Sequence, residues 1–329
     1  MNRRDFVRRA AWLVGAAATM NLPAPTSAWG ETGTDWSRHP TPEISSAEDF
    51  YVTSKGYFTP KVGAESWSLE VGGLVANPKK LDLSSLASLG EHQQVIGLEC
   101  VGNKIGGDAL DSALWRGVRF DRLLELVEPR ANVVDVVLHA ADGYSDSIKL
   151  EWLKANYAML ATRMNGEALS RSHGFPARLL APGIYGMKNV KWIERIEFVD
   201  SNYLGYWQTR GWSDDAFVKP HARIDTPRSG RELPQGEALV AGVAFTGKEG
   251  VSKVEVSFDG GKGWTQAKLK PPRSSYSWVL WAYEWEAPKG RYAIMARCFD
   301  GSGRMQPQGP KGISPDHAEG WHTVHVEVL

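Results

Sequence analysis

The chain has 329 residues with 38 basic and 38 acidic side chains, so its formal charge is zero and no nucleic-acid-binding footprint shows. Apolar residues make up 42% and charged residues 23%, ordinary values for a globular protein long enough for two domains with a core each. Two cysteines, with no CxxC and no zinc-like Cys/His spacing, exclude a disulfide-rich scaffold and a zinc module. The 14 tryptophans point to several packed cores or an aromatic-lined cleft.

The first 28 residues are expected to be a targeting segment. Arg3, Arg4, Arg8 and Arg9 precede an apolar run from Ala10 to Met20, too short to span a bilayer and of signal-peptide length. The paired arginines with Phe6 resemble a twin-arginine signal, and Thr26-Ser27-Ala28 offers a cleavage site. The mature chain is therefore expected in the periplasm. That route carries folded proteins, usually around a cofactor, which favours a cofactor enzyme over an exported binding module.

Residues 29–48 read as an extended leader rich in Pro, Thr, Ser and Gly, and Ser46–Asp49 turns into Phe50-Tyr51-Val52. Trp67–Val71 alternates as a strand ending at Gly72-Gly73, and Asp82 caps a short helix. Val95–Leu98 is a short apolar run expected as a buried strand. Trp115–Val118 is expected as a turn before a helix over Phe120–Val127. Val133–His139 reads as a strand, Ala141–Tyr144 as a loop and Glu151–Tyr157 as a helix. Leu160–Met164 is a strand running into the hairpin signal Asn165-Gly166.

These elements predict a mixed α+β domain over 49–219, followed by a polar linker over 220–234. Six alternating runs with turn signals between Ala238 and Leu329 then predict an all-β, immunoglobulin-like sandwich over 235–329. In the run Arg291–Cys298, alternation places Cys298 with Tyr292, Ile294 and Ala296 as a small core residue.

Chemistry concentrates at Val95–Gly107. The apolar run delivers Cys100 to a turn containing Gly102, Asn103, Gly106 and Gly107, where glycines let backbone N–H groups approach a ligand. A cysteine there suits a thiolate, as nucleophile or as metal ligand. A core cysteine before a flexible turn is the alternative.

Four separated motifs resemble the sulfite-oxidase family of molybdopterin enzymes. They are Glu99-Cys100-Val101-Gly102-Asn103, the run Met164–Leu169 with Arg171 and His173–Arg178, Ala181–Gly183 through Gly186–Trp192, and Val254–Trp264. In order, they override the ordinary readings of His173 as a turn residue, Arg178 and Lys191 as surface charges and Asp142 as a turn aspartate. The resemblance implies molybdopterin as cofactor, Cys100 as the soft sulfur ligand of molybdenum, and His173, Arg178, Asn189 and Lys191 as holders of the pterin and its phosphate. It also implies pterin contacts from Asp142, Tyr51 and Lys55.

The resemblance further implies oxygen-atom transfer on a small-molecule substrate and electron exchange with a separate carrier, such as a c-type cytochrome or a membrane quinone system. A homodimer through the second domain is a further expectation. A sulfite or sulfur-compound dehydrogenase working with a c-type cytochrome is an alternative within the family. Sulfite-oxidising members place arginines where Thr53 and Ile105 stand and a tyrosine where Thr162 stands, all lining the substrate pocket. The cofactor half of the site is thus expected to be kept and the sulfite half not. Two other classes remain as rivals: a thiol hydrolase pairing Cys100 with His139 or His173, and a non-enzymatic binding protein using the sandwich.

Overall fold

The computed structural model describes residues 34–56, 58–309 and 311–329, so the signal-peptide segment lies outside the described residues. The amino-terminal part contains β1 (Leu69–Gly73), β2 (Lys79–Leu81), α1 (Leu83–Ala87), β3 (Glu91–Glu99), β4 (Leu110–Arg119), α2 (Phe120–Val127) and β5 (Asp135–Ala140). It continues through β6 (Ser145–Lys149), α3 (Leu150–Ala155), β7 (Met159–Met164), β8 (Glu167–Ala168), β9 (Arg178–Leu180) and β10 (Ile193–Val199). One sheet runs β2-β1-β10-β5-β6, the other β3-β4-β7-β8 with β9 added beside β7.

Local chemistry accounts for the helices. Asp82 accepts from Ser85 N at 2.7 Å and from Ser84 Oγ at 2.8 Å, capping α1. Phe120, Leu123, Leu124 and Val127 give α2 one buried face, and Glu128 ends it in the left-handed region at φ 53°. At the β7–β8 hairpin, Asn165 and Gly166 take φ of 52° and 91°, the backbone that an Asn-Gly turn favours.

The expected α+β class is overturned: the described residues are predominantly β, and helix, 3-10 turns included, makes up only 10% of them. The three helices hold five, eight and six residues, too short to form a layer of their own. The expected turn at Trp115–Val118 is part of β4. That strand is buried along most of its length, Asp111 and Ser112 included, because its sheet is covered on both faces. Leu110 and Val118 enter the large core, whereas Ala113 and Trp115 enter a second cluster with Phe50, Ile96 and Leu98.

The carboxy-terminal part contains β11 (His221–Thr226), β12 (Arg231–Leu233), β13 (Gly236–Phe245), β14 (Val251–Ser257), β15 (Thr265–Gln266), β16 (Lys268–Leu269), β17 (Val279–Ala287), β18 (Gly290–Asp300) and β19 (His322–Val328). Sheets β11-β13-β17-β16 and β12-β19-β18-β14-β15 share one core, which includes the fully buried Cys298. Residues 220–234, expected as a linker, carry β11 and β12, because their N–H and C=O groups pair with β13 and β19.

The two parts meet along β3, an edge strand of its sheet. Its free edge is occupied by Gly97 N donating to the Tyr276 carbonyl at 2.7 Å and Ser274 Oγ donating to the Val95 carbonyl at 2.5 Å. Gly97 also lets Phe245 approach, since a Cβ there would lie 2.8 Å from the Phe245 ring. The strand that carries Cys100 is thereby fixed from both sides. Among the described residues, no helix is long and apolar enough to cross a membrane.

Candidate active site

Cys100 emerges from β3 into one cavity of about 270 Å³. Tyr51, Lys55, Cys100, Asp142, His173, Arg178, Asn189 and Lys191 all line it, although they come from segments up to 140 positions apart. Burial, and secondarily the Glu99 charge, push the pKa of the thiol up, while the neighbouring Gly102 N–H and Thr53 hydroxyl favour the thiolate. Neither cysteine is in a disulfide. Tyr51 donates its backbone N–H to Asp111 at 2.8 Å, and burial with the neighbouring Cys100 keeps its phenol protonated.

The cationic end is built from Arg178 and Lys191. Arg178 donates to the His173 carbonyl at 3.1 Å and the Asn189 carbonyl at 3.3 Å and lies 5.2 Å from the Trp115 ring centroid. Its Nε has no partner, and burial lowers its pKa to about 10. Lys191 donates to Ser54 Oγ at 2.9 Å and the Ser172 carbonyl at 3.0 Å. Burial, and then repulsion from Arg178, lower its pKa to about 7. Neither cation has a carboxylate partner in its hydrogen-bonding set, so both lack the anion that would offset their desolvation.

His173 bonds the Ala47 carbonyl through Nε2 at 2.7 Å, pinning the leader against the site; burial lowers its pKa. Asp142 accepts from Tyr144 N at 2.9 Å in the β5–β6 turn. A Cβ at the adjoining Gly143 would stand 3.5 Å from Lys55 Nζ, so this lysine lies over the same turn. Asn189 turns its side chain inward, donating to the Ile184 and Tyr185 carbonyls at 3.1 Å each and accepting from Ala181 N at 2.7 Å. It closes its own loop, and its NH₂ has no donor left for a ligand.

Of the three positions where a sulfite pocket was expected to differ, only Thr53 lines the cavity. Ile105 sits in the turn beside Gly320 of the carboxy-terminal part, and Thr162 lies on β7, where its carbonyl accepts from Leu169 N at 3.1 Å. Both belong to segments whose packing turns them elsewhere. His139 is also outside: it contacts Glu197 at 3.2 Å and Arg195 at 3.0 Å. No hydrogen bond joins Cys100 to His173 among the described contacts, so the arrangement lacks the nucleophile–base pair of a thiol hydrolase.

Ser54, Ser172, Trp207 and Trp212 also form walls of the cavity and were not singled out beforehand. The abundance of tryptophan was the one signal for the last two. A phosphate-bearing, molybdenum-carrying pterin fits what is present. The soft thiol stands at one place, the two uncompensated cations at another, and the unpartnered Arg178 Nε is a buried donor awaiting an acceptor.

Comparisons with known proteins point to the same cofactor. The family described as "Oxidoreductase molybdopterin binding domain" matches residues 57–207, and "Mo-co oxidoreductase dimerisation domain" matches residues 217–328. The mitochondrial sulfite oxidase of Rattus norvegicus is 26% identical over 382 residues, covering 94% of this chain and 69% of that protein. The chain spans 64% of the length of the Homo sapiens counterpart. An uncharacterized oxidoreductase of Bacillus subtilis, YuiH, is 32% identical over 146 residues, covering 44% of this chain and 72% of its own length. In fold, the sulfane dehydrogenase SoxCD from Paracoccus pantotrophus superposes with a TM-score of 0.74 at 20% identity, covering 97% of this chain and 94% of that chain.

Proposed function

This chain belongs to the sulfite-oxidase family of molybdopterin oxidoreductases, and we propose that it is an exported member that transfers an oxygen atom between a small substrate and a molybdenum centre ligated by Cys100. It is a molybdenum-dependent oxidoreductase with molybdopterin as its cofactor. The observation that carries the site assignment is the convergence of Cys100, Asp142, His173, Arg178 and Lys191 on one cavity.

Bound there, the cofactor supplies a metal that exchanges oxygen and electrons with the substrate. The chain's own residues do the rest. Arg178 and Lys191 would bind the phosphate by charge-assisted hydrogen bonds, and Asp142 and Lys55, which line the same cavity, would meet the pterin. His173 holds the leader against the cavity through its contact with the Ala47 carbonyl. Tyr51, kept protonated beside Cys100, offers a hydroxyl donor to an oxygen at the reacting centre. Trp207 and Trp212 wall the cavity and limit water.

We take the electrons to pass to a separate carrier, such as a c-type cytochrome or a membrane quinone system. We place the protein in the periplasm by the twin-arginine route and divide it near residue 220. The second domain is taken as an immunoglobulin-like sandwich that carries a homodimer contact, in keeping with the matched dimerisation family. A second reading, oxidation of sulfite or another sulfur compound with a c-type cytochrome, draws on the names of the rat and Paracoccus relatives.

One experiment separates these readings. Molybdenum-replete protein from the periplasmic fraction is assayed with a reduced dye and dimethyl sulfoxide, and with an oxidised dye and sulfite. Turnover of the sulfoxide favours the first reading. Efficient sulfite turnover alone favours the second, and activity retained after Arg3→Lys with Arg4→Lys removes the export route.

A further inference from the structure

Glu99 precedes Cys100 and is fully buried, and both histidines that meet it come from the carboxy-terminal part. His221 Nδ1, from β11, stands 2.6 Å from Glu99 Oε1, and His317 Nε2 stands 3.0 Å from the same oxygen. His317 Nδ1 faces the Ala318 carbonyl at 2.7 Å. Both His317 nitrogens therefore face acceptors and both must donate, which makes this ring the cationic partner of the carboxylate. Tyr185 stacks on it at 5.0 Å and 10°, fixing the ring plane.

The same Glu99 oxygen accepts from Asn103 Nδ2 at 3.0 Å. Asn103 Oδ1 accepts from Ala109 N at 3.2 Å, Cys100 N donates to the Ala109 carbonyl at 3.0 Å, and Asn103 N donates to the Cys100 carbonyl at 2.9 Å. The loop from Cys100 to Ala109 is thus closed around Asn103. Asn103 hangs on Glu99, and Glu99 is held from across the domain boundary.

We propose that His221 and His317 are positioning residues by which the carboxy-terminal domain sets the Cys100 loop through Glu99 and Asn103. Among the described residues, no side chain lining the cavity hydrogen-bonds Glu99 or the Asn103 side chain, whose partners are His221, His317 and Ala109 N. The three side chains are also a donor set that a divalent cation could use, with ligand atoms within 4.8 Å of one another. The 2.6 and 3.0 Å contacts are direct hydrogen bonds to Glu99 Oε1, while Glu99 Oε2 and His221 Nε2 are buried without a partner, so the test includes a metal analysis. The proposal rests on Cys100 as the metal ligand for its catalytic consequence, but its structural readout is taken without the cofactor.

The test compares full-length His221→Leu, His317→Leu and His317→Gln with the wild type. In cofactor-free protein, both Leu variants are expected to speed amide exchange in residues 100–109 at least tenfold, with protection of β13 and β17 unchanged. In the loaded enzyme, kcat is expected to fall roughly 10- to 100-fold, the range for outer-sphere partners of metal ligands, at unchanged KM. Gln, which can still donate to Glu99, is expected to restore most of both. If a Leu variant does not fold, Glu99→Gln with His317→Gln keeps a neutral hydrogen-bonded pair and is expected to retain loop protection.

Wild-type loop exchange in a folded Leu variant, or fast loop exchange in the folded double-amide variant, would overturn the proposal. So would a second divalent metal in stoichiometric amount in the wild type, lost in both Leu variants. Failure of Cys100 as ligand would instead show as unchanged turnover in Cys100→Ser, with the exchange results intact.

Discussion

Gly186 and Tyr51 approach so closely that a Cβ on the glycine would stand 2.7 Å from the tyrosine hydroxyl. The phenol is seated beside Cys100 only because residue 186 has no side chain. Gly186→Ala should therefore displace Tyr51, costing about 1–3 kcal/mol as an overpacking substitution. Thermal unfolding should show the loss, and turnover should fall with it. Unchanged turnover would remove Tyr51 from the reacting centre.

Cys100→Ser should retain most of the pterin, whose phosphate contacts lie elsewhere, and lose turnover. A serine oxygen is a harder donor with a far higher pKa than a thiol. A fall of ~100-fold or more, equivalent to about 2.7 kcal/mol in the barrier, is expected in steady-state assays. Cys298→Ser should leave activity intact and cost about 1–3 kcal/mol for a hydroxyl in the second core, measured by denaturant unfolding.

Arg178→Ala and Lys191→Ala should give folded protein poor in cofactor. Charge-assisted hydrogen bonds to a phosphate are worth about 1.5–3 kcal/mol each, so the double variant should lose nearly all of it. Molybdenum and pterin analysis of purified protein checks this. Full occupancy in the double variant would take both residues out of the anchor.

His322 links the two sheets of the carboxy-terminal part: its Nδ1 accepts from Ile224 N of β11 at 2.9 Å, and burial lowers its pKa to about 4. Because that value lies below the ordinary 6.5, the unfolded chain binds a proton first as pH falls. Its contribution to stability is therefore complete above about pH 6.5 and is lost progressively toward pH 4. Chemical denaturation across this window should show a steeper acid loss in the wild type than in His322→Asn, which keeps an acceptor and does not titrate. Parallel curves would remove His322 as the cause.

Sulfite is a compact, strongly hydrated anion, and extracting it from water needs fixed cations aimed at it. Here Thr53 stands at the cavity wall where the family's sulfite oxidisers place an arginine, and of the lining cations, Arg178 and Lys191 are assigned to the phosphate and Lys55 to the pterin. Sulfite oxidation is expected to be weak, with kcat/KM well below ~10⁶ M⁻¹s⁻¹. Steady-state kinetics with an artificial acceptor decides, and a value at or above that range would show the pocket reading to be mistaken.

Much of the site was legible in the sequence because its signals are local. Cys100 sits between an apolar strand and glycines, Asp82 is followed at the right spacing by Ser85, and Asn165-Gly166 marks its own hairpin. The motif order around Cys100, His173 and Lys191 identified the family before any contact was known. Asn189 shows the limit of that reading: the motif named the position, but three backbone partners decided that its side chain closes a loop.

Sequence alone determined the family, and its motifs named Cys100, Asp142, His173, Arg178 and Lys191, which share one cavity, since each depends on residue type and short-range pattern. Only the tertiary structure decided that Trp115 lies in a strand covered on both faces, and that His221 begins a strand instead of a linker. The burial of Glu99 between His221 and His317, 122 and 218 positions away, was likewise beyond local pattern. Strand pairing and buried charge pairs join residues remote in the chain, and their free energy depends on which surfaces exclude water together, a property no local stretch contains.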